Sequence, residues 1–555
     1  MPPLSFPTLL GRALALPLLA LTVSCATTAP APSPARTQAP LAKDGWRNDW
    51  ARDAVFYEVF VRSFQDSDGN GVGDFKGLTA RLDYLKELGV GGLWLMPVFT
   101  SPSYHGYDTV DYEHVNPAYG TDADFDAFLR EAHQRNIRVI VDFVINHTGS
   151  AHPWFVESAS SPTSPKRDWY VWRQDDPGWT QPWGGSNHTW HEKNGAYFYG
   201  IFWGGMPDLN LRNPEVRAEV KRLAKLWLDR GVDGFRLDAA RHLIESGPGQ
   251  GQCDSPETHA FWREFSEYIR SQKPDALLVG ENWTETPIIA TYYGDTSKVR
   301  GGDELPMSFD FPLASALVEG AKTGQAQGIA DKLREIQRLY PAGVLDGTFL
   351  TNHDMKRVAQ QLGEDKAKVK SAAAVLLTLP GTPFLYYGEE LGMDQANNGD
   401  DEFKRTPMPW DGSETGGFTQ GKPWYRFAPG HEKDNVADEG KDPASVLSRY
   451  RQLVTLRNQE KALREGSLEL LAPAARAFEF MAPTGGPLVY LRQAGSEVLL
   501  VAHNLSDQAQ EAGPFAVKGA GLTAVFADPQ AKAEATAQGV RLSLPAHATG
   551  VWRVR

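Results

Sequence analysis

The sequence has few cysteines, no long run of basic residues and no apolar run long enough to cross a bilayer. Only Cys25 and Cys253 occur in 555 residues, so no disulfide framework is expected. The net charge of −13, without a Lys- or Arg-rich stretch, argues against nucleic acid or an anionic membrane surface as a partner. The apolar and charged fractions are typical of a soluble globular protein, and the length exceeds that of a single ordinary core.

The N-terminus has the pattern of an export signal. Arg12 precedes an apolar run at residues 13–23, which is too short to span a membrane and ends in "TVSC" at Cys25. The small residue before this cysteine resembles a bacterial lipobox, so residues 1–25 are interpreted as a lipoprotein signal, the alternative being a plain secretory signal. The Pro/Ala-rich residues 26–44 then form a tether. We therefore expect an extracytoplasmic protein, either secreted or a lipoprotein of the outer membrane, periplasm or cell surface, whose membrane contact is a lipid at Cys25.

Apolar, β-branched segments alternate with segments of helical period along most of the chain. Eight strand candidates lie at residues 54–64, 89–98, 137–147, 231–240, 276–283, 304–312, 347–354 and 382–390. Strands that are apolar on both faces, each followed by a helix, favour a parallel sheet. Eight such units predict an α/β fold, a closed (β/α)₈ TIM barrel. An open doubly wound sheet is the alternative, and polar clusters at the C-terminal ends of most strands favour the barrel.

Two long stretches without this pattern interrupt the alternation of strands and helices, and a C-terminal region has a different pattern. Residues 148–212, rich in Gly, Pro and Trp, are too long for a plain connection and predict an inserted domain between the barrel segments 45–147 and 213–464. Its tryptophans are expected to form its own core, with a sugar-stacking role for one or two of them as the alternative. A second excursion covers residues 392–442. From about residue 465 to 555, short alternating runs such as "FEFMAP" and "LVYLRQ" predict an antiparallel β-sandwich.

Carboxylates follow three different predicted strands of the barrel. Asp238 ends the fourth strand, Glu281 the fifth and Asp354 the seventh, so all three are expected at the face where barrel active sites lie. Cleavage of a glycosidic bond needs one ionised and one protonated carboxyl group. Arg236 lies two residues before Asp238, on the same face of the strand, and would keep that carboxylate ionised. Glu281, between an apolar strand and Trp283, could retain its proton near neutral pH.

A calcium-loop pattern occurs after the first strand. Asp66, Asp68 and Asn70 stand at alternate positions, and Gly71 and Val72 follow, as in the first half of an EF-hand loop. The twelfth position of such a loop, where a bidentate Glu belongs, is Gly77. The pattern alone therefore leaves two interpretations open, a cation site outside an EF-hand or an Asx-rich turn without an ion.

These motifs together resemble those of glycoside hydrolase family 13, the α-amylase family, over about residues 45–555. The segments that carry the resemblance are "GLWLMP", "DFVINH", "MPDLN", "GFRLDAARH", "GENW", "TNHD" and "GTPFLYYGEELGM". The resemblance implies that Asp238 is the nucleophile, Glu281 the acid/base and Asp354 the third carboxylate. It also implies that Tyr107 stacks under the cleaved sugar and that further side chains bind substrate, namely His147, Arg236, Arg241, His242 and His353. Arg241 stands where relatives usually have Lys, so contacts there are expected to differ.

The resemblance also implies structural calcium as the cofactor. Relatives of oligo-1,6-glucosidase and neopullulanase carry a similar loop after the first strand, which makes Asp66, Asp68, Asn70, Asp74 and the Val72 carbonyl the expected ligands. A second site, like that of the amylases, would use Asn146, Asp208 and the His242 carbonyl.

The expected function is a retaining, endo-acting α-amylase that hydrolyses α-1,4-glucosidic bonds in starch, glycogen and maltooligosaccharides. "MPDLN" at residues 206–210 is similar to the group intermediate between oligo-1,6-glucosidases and neopullulanases, which includes lipoprotein α-amylases. Ala239, after the expected nucleophile, fits α-1,4 better than α-1,6 cleavage. The alternatives are a neopullulanase, cyclomaltodextrinase or maltogenic relative and, from another class, a non-catalytic starch-binding protein.

Overall fold

The eight predicted strands form one closed parallel barrel. The computed structural model describes residues 44–396, 401–472, 486–519 and 521–555; the predicted signal, nearly all of the tether and the "FEFMAP" segment lie outside these residues. Each barrel strand pairs with its neighbours in chain order, and the last closes on the first. The strands are β1 (Phe56–Val59), β2 (Gly92–Leu95), β3 (Arg138–Phe143), β4 (Gly234–Leu237), β5 (Leu277–Gly280), β6 (Met307–Phe309), β7 (Leu345–Phe349) and β8 (Thr382–Tyr386). The (β/α)₈ prediction is confirmed.

The barrel strands are buried on both faces, which explains their continuous apolar runs. Rings such as Phe56, Trp94 and Phe384 fill the interior, while the alternate residues pack outward against the helices. The parallel register sets Asp142 of β3 opposite Arg236 of β4. A charged pair therefore lies across two neighbouring strands near the C-terminal end of the barrel.

Helices cover the outside of the barrel. They lie at Asp49–Asp53, Val61–Phe64, Phe75–Ala80, Leu82–Leu88, Asp122–Gln134, Pro214–Arg230, Pro256–Gln272, Thr286–Ile289, Phe311–Thr323, Gln327–Leu339, Val358–Gln361, Lys366–Thr378, Val436–Glu439, Val446–Gln459 and Lys461–Glu465. Three of the long ones begin at polar caps: Thr121 forms a reciprocal capping box with Asp124, and Asn213 and Ser255 each precede a proline in the first turn. Within the described ranges, no helix has the length and apolarity needed to cross a membrane.

Phe75, Leu78, Leu82, Leu85 and Leu88 recur at helical spacing after the first strand, but they lie on two helices. Phe75–Ala80 ends at Arg81, whose φ and ψ of −102° and 4° leave the helical region before Leu82–Leu88 begins. The Arg81 Nε donates to Gln65 Oε1 at 2.6 Å, and its guanidinium lies 4.0 Å from the ring centre of Trp410. These two contacts hold the Arg81 side chain at the point where the first helix ends and the second begins.

The residues between β3 and the helix Pro214–Arg230 carry their own small structure. It contains the helix Pro153–Ser160 and a three-stranded antiparallel sheet, Trp172–Arg173, Ala196–Tyr199 and Trp190–Lys193. Aromatic rings fill it; Phe155, for example, contacts Tyr170, Trp172 and Phe198. Trp183 and Trp203 are different, since 52% and 56% of their surfaces are exposed. A second short sheet, Phe99–Thr100 with Asp111–Val115, follows β2.

The C-terminal region is antiparallel, as predicted. A five-stranded sheet contains, in spatial order, Ser467–Leu470, Leu488–Ala494, Glu497–His503, Thr549–Val554 and Leu522–Ala527. A three-stranded sheet contains Gln510–Phe515, Gly539–Leu544 and Lys532–Thr536. Leu500 and Trp552 of the first sheet pack with Phe515 and Leu542 of the second, so the two sheets share one core. Arg492 joins this region to the barrel, donating to the Thr378 carbonyl at 2.6 Å.

Candidate active site

The three predicted carboxylates meet in one pocket at the C-terminal face of the barrel. Asp238 directly follows β4, Glu281 directly follows β5, and Asp354 lies in the loop after β7. All three line a cavity of about 280 Å³, together with Tyr107 and His147. Parallel strands deliver their ends to one face, and so these residues converge although 116 positions separate the first from the last.

Arg236 binds two of these carboxylates with one guanidinium group. Its Nη1 lies 2.6 Å from Asp238 Oδ1, and its Nη2 lies 2.8 Å from Glu281 Oε1. Nη1 also lies 2.9 Å from Oδ1 of the buried Asp142. The arginine is itself 1% exposed, so its charge acts in a region with little water. Placing Arg236 and Asp238 on one face of β4 therefore predicted this contact correctly.

The buried environment of Glu281 favours its protonated form. Burial raises its pKa to about 8; Arg236 opposes the shift, and the negative charges of Asp238 and Asp354 add to it. Its Oε2 accepts a hydrogen bond at 2.9 Å from the backbone N–H of Ala239. Ala239 has a φ of 50°, an unusual conformation for a residue with a side chain. That conformation, directly after Asp238, positions the fifth-strand glutamate beside the fourth-strand aspartate.

Asp354 lies in an environment that favours its ionised form, unlike that of Glu281. Burial would raise its pKa, but His353, Arg405 and Arg236 together lower it below the ordinary value. Its Oδ2 lies 3.1 Å from His353 Nε2, and its Oδ1 accepts from Arg405 Nη2 at 2.9 Å. The surroundings thus shift the pKa values of Glu281 and Asp354 in opposite directions within one pocket.

Tyr107 and His147 form the wall of the pocket. The Tyr107 hydroxyl lies 3.0 Å from Asp142 Oδ2 and 2.6 Å from His353 Nε2, and its ring stacks on the His353 ring. His147 Nε2 lies 3.2 Å from the Tyr107 carbonyl, and burial lowers the pKa of its imidazole. Tyr107 and His147 therefore line the pocket, whereas His353 and Arg236 are buried and contact the residues that line it.

Arg241 and His242 line a second cavity of about 600 Å³ that shares Glu281 and Phe202 with the first. The Arg241 guanidinium pairs with the Asp254 carboxylate and donates to the Trp283 carbonyl at 2.8 Å. His242 Nδ1 lies 3.1 Å from the Gln252 carbonyl. The exposed rings of Trp183 and Trp283 flank the opening. These contacts hold the Arg241 side chain in the wall of the cavity.

The predicted calcium loop gathers three carboxylates. Asp66, Asp68 and Asp74 can each point an oxygen at one position, with these oxygens within 4.8 Å of one another. Asn70 accepts at 2.7 Å from the Val72 N–H, which turns the loop as in a calcium-binding segment. Such a set of hard oxygen donors suits Ca²⁺. The donors present therefore fit the ion.

The same loop is also tied down by hydrogen bonds. Asp66 Oδ2 accepts at 2.7 Å from the Gly71 N–H and is bound by the Thr419 hydroxyl, and Asp74 accepts from Ser67 and from the Gly77 N–H. Thr419 belongs to the long excursion after β8. The loop thus connects the start of the barrel to that excursion.

The second predicted calcium site is partly assembled. Asn146 Nδ2 donates to Asp208 Oδ2 at 3.2 Å, and both side chains are buried. The Asn146 Oδ1 is buried without a hydrogen-bond partner in the described part of the chain. Burial raises the pKa of Asp208 well above its ordinary value, a penalty that a cation would offset. His242, whose carbonyl is the third expected ligand, lines the 600 Å³ cavity.

Several residues of the site carry no signal in the sequence. Arg405 and Asp401 come from the excursion after β8, yet both line the first cavity, and Arg405 Nη2 lies 2.9 Å from both Asp401 and Asp354. Glu58 lies within β1, where a single acidic residue in an apolar strand is the only hint of its role. Arg405 and Glu58 could not be found from the ends of the predicted strands, because neither residue directly follows a barrel strand.

The chain is similar to known carbohydrate-active proteins over most of its length. The family described as "Alpha amylase, catalytic domain" matches residues 58–466. Alpha-amylase 3 of Dictyoglomus thermophilum is 40% identical over 469 residues, covering 83% of this chain and 86% of that protein. An oligo-1,6-glucosidase of Parageobacillus thermoglucosidasius is 34% identical over 528 residues, covering 83% and 91%. The crystal structure of an alpha-amylase from H. orenii, 36% identical, covers 90% of this chain and 99% of its own, with a TM-score of 0.78.

Proposed function

The chain belongs to the α-amylase family of glycoside hydrolases, and from that premise we propose that it is an extracytoplasmic, endo-acting α-amylase. Its substrates would be the α-1,4-glucosidic bonds of starch, glycogen and maltooligosaccharides. The observation that carries the proposal is the shared guanidinium of Arg236, which binds Asp238 and Glu281 while the pKa of Glu281 stays raised to about 8.

In the proposed mechanism the two carboxyl groups act in turn. Glu281 donates its proton to the glycosidic oxygen as Asp238 attacks the anomeric carbon, forming a covalent glycosyl ester and releasing the leaving sugar. The Glu281 carboxylate then takes a proton from water as the water oxygen attacks the same carbon and breaks the ester bond. Two inversions give net retention. Asp354 stays ionised beside His353 and Arg405 and would bind hydroxyl groups of the distorted sugar.

Neighbouring residues would position the sugar chain. Tyr107 offers a ring face to the sugar being cleaved, and His147 would bind its hydroxyl groups. The 600 Å³ cavity next to Glu281 would receive the leaving sugar, with Trp183 and Trp283 as stacking surfaces. Ala239, directly after Asp238, supports α-1,4 over α-1,6 specificity by its resemblance to α-1,4-cleaving relatives.

Structural calcium and an extracytoplasmic location complete the proposal. Asp66, Asp68, Asn70, Asp74 and the Val72 carbonyl would hold Ca²⁺, which would fasten the loop after β1, and Asn146 and Asp208 would take part in a second site. A lipid on Cys25 would attach the enzyme to a membrane through the Pro/Ala-rich tether.

Substrate comparison tests the proposed specificity. Reducing-sugar release should be fast on soluble starch and much slower on pullulan and cyclodextrin. Faster release from cyclodextrin or pullulan would instead favour a cyclomaltodextrinase or neopullulanase, and release from an α-1,6-linked oligosaccharide would favour an oligo-1,6-glucosidase. Maltoheptaose should give products of mixed length; single glucose units removed from the start would contradict endo action.

Product stereochemistry tests the two-step mechanism. Proton NMR of the first products should show the α-anomer before mutarotation, because a covalent intermediate with two inversions retains configuration. A β-anomer appearing first would contradict the assignment of Asp238 as nucleophile.

A further inference from the structure

Glu58 is a buried carboxylate that the proposed mechanism does not use. It lies in the middle of β1, is 2% exposed, and its Oε1 lies 2.6 Å from Nδ1 of His353. Burying a carboxylate is costly unless it is paired and hydrogen-bonded. Its partner is a residue of the candidate active site, reached across the interior from a loop 295 positions away.

The opposite edge of the His353 ring faces a second carboxylate. His353 Nε2 lies 3.1 Å from Asp354 Oδ2 and 2.6 Å from the Tyr107 hydroxyl. When the Tyr107 hydroxyl donates its proton to Asp142 at 3.0 Å, its oxygen is left to accept from the histidine. Both ring nitrogens therefore face acceptors. A neutral imidazole has only one N–H, whereas the imidazolium donates from both nitrogens and satisfies both sides.

Other charged groups surround this ring. The Arg405 Nε donates to the His353 carbonyl at 3.1 Å, and Trp94 packs edge-on at 5.6 Å between ring centres. The charged and titratable groups that face His353 come from β1, β3, β4, the loops after β2 and β7 and the excursion after β8; they are Glu58, Asp142, Arg236, Tyr107, Asp354 and Arg405. Burial lowers the pKa of His353, but Asp354 and Glu58 raise it to about 9.

We propose that Glu58 is a positioning residue that keeps His353 doubly protonated, so that its Nε2–H stays directed at Asp354 and Tyr107. Without the Glu58 carboxylate, Nδ1 would have no anionic partner, and His353 could lose a proton at neutral pH and turn Nε2 into an acceptor. An unprotonated Nε2 would repel the Asp354 carboxylate. The inference rests on the proposed function, since Asp354 and Tyr107 are the groups expected to bind the sugar.

The direct test is the protonation state of His353 in the full chain. NMR of protein with ¹³C-labelled histidine follows the Cε1–H shift, with the His353 signal identified by its loss in His353→Gln. In the parent protein the ring should remain protonated through pH 7.5. In Glu58→Gln, whose amide oxygen still accepts from Nδ1–H, the titration should move down by about two pH units. A parent His353 that titrates near its ordinary value of 6.5 would overturn the proposal, even if the variant does not fold.

Activity provides a second readout with a distinct signature. The ratio of kcat/KM for Glu58→Gln to that of the parent should fall about tenfold or more between pH 5.5 and pH 8, because the variant alone loses the imidazolium in this range. Glu58→Asp keeps the charge and should show a flatter ratio, and the exposed Glu87→Gln serves as the unaffected control. If the kcat/KM ratio of variant to parent is low but the same at every pH, Glu58 has only a structural role. If the parent hydrolyses no glucan, the proposed function fails, and the NMR titration still decides the role of Glu58.

Discussion

Arg236 Nη1 lies 2.6 Å from Asp238 Oδ1; Arg236 lies in β4, and Asp238, two positions later, directly follows that strand. Side chains two apart on a strand point to the same face, so the backbone itself brings the charges together. The other terminal nitrogen of the arginine binds Glu281 from the next strand. One buried cation therefore connects the two carboxyl groups that glycoside hydrolysis needs, and the predictions below begin from this contact.

The first prediction concerns turnover. Asp238→Asn removes the charge of the nucleophile and Glu281→Gln removes the transferable proton, and each should lower kcat by several orders of magnitude. The double variant should be scarcely slower than either single variant, because the two residues act as a unit. Affinity for a long maltooligosaccharide, measured by calorimetry, should change little, since Tyr107, His147 and His353 remain.

The control for this prediction is Asp229→Asn on the exposed side of the helix Pro214–Arg230, which should retain parental activity. If the single variants keep more than about a tenth of the parental kcat, the activation barrier has risen by less than about 1.4 kcal/mol, and the two residues are not catalytic. The interpretation as a non-catalytic starch-binding protein would then return.

The second prediction concerns pH and stability. The pKa of Glu281 is raised from its ordinary 4.5 to about 8 in the folded protein. Its protonated form therefore contributes stability that is complete below about pH 4.5 and is lost as the pH rises through 8. Glu281→Gln cannot ionise, so the melting temperature of the parent should fall relative to this variant between pH 5 and pH 9. A difference between the two proteins that stays constant over this range would contradict the raised pKa.

The third prediction concerns the loop after β1. Asp68→Ala removes one carboxylate from the group that includes Asp66 and Asp74. Because a ligand bound only by the folded state stabilises it, added calcium should raise the melting temperature of the parent, and much less that of the variant. The exposed Glu87→Ala, elsewhere on the surface, should respond like the parent. If a chelator leaves the melting temperature of the parent unchanged, the loop holds no structural ion.

The fourth prediction concerns location. If Cys25 carries a lipid, Cys25→Ser should move the protein from the membrane fraction to the soluble extract and leave starch hydrolysis intact. Fractionation followed by immunoblotting and an activity assay of each fraction measures both properties. Equal distribution of the two proteins would favour the plain secretory signal, as would radiolabelled fatty acid that is not incorporated into the parent. Cys253→Ser, at the other cysteine, is the matched control.

The barrel and the positions of Asp238 and Glu281 were predictable because both depend on short stretches of sequence. A strand buried on two faces needs a continuous apolar run, and the residue after it lies at the C-terminal face whatever the loops do. Asp238 and Glu281 could thus be placed together from their positions after β4 and β5 alone. The contact between Arg236 and Asp238 needed only the two-residue period of a strand.

The break at Arg81 was not predictable from the leucine spacing, which continues through it. The spacing of Leu78, Leu82 and Leu85 reports which face is buried, and that face stays buried in two short helices as in one. At the break, Arg81 contacts Gln65, 16 positions earlier, and Trp410 of the excursion after β8, and neither contact is visible in the leucine spacing.

By itself the sequence determined the fold class, the order of the barrel strands and the face on which three carboxylates meet, since these follow from local periodicity and strand ends. Only the tertiary structure decided which partners reach the site from other segments of the chain. Arg405 reaches Asp354 from the excursion after β8, and Glu58 reaches His353 from inside β1. The physical reason is the sequence separation of the residues involved. Hydrophobic periodicity depends on neighbouring residues, whereas the partner of a buried charge depends on how distant segments pack. The protonation state of that charge then follows from the packing.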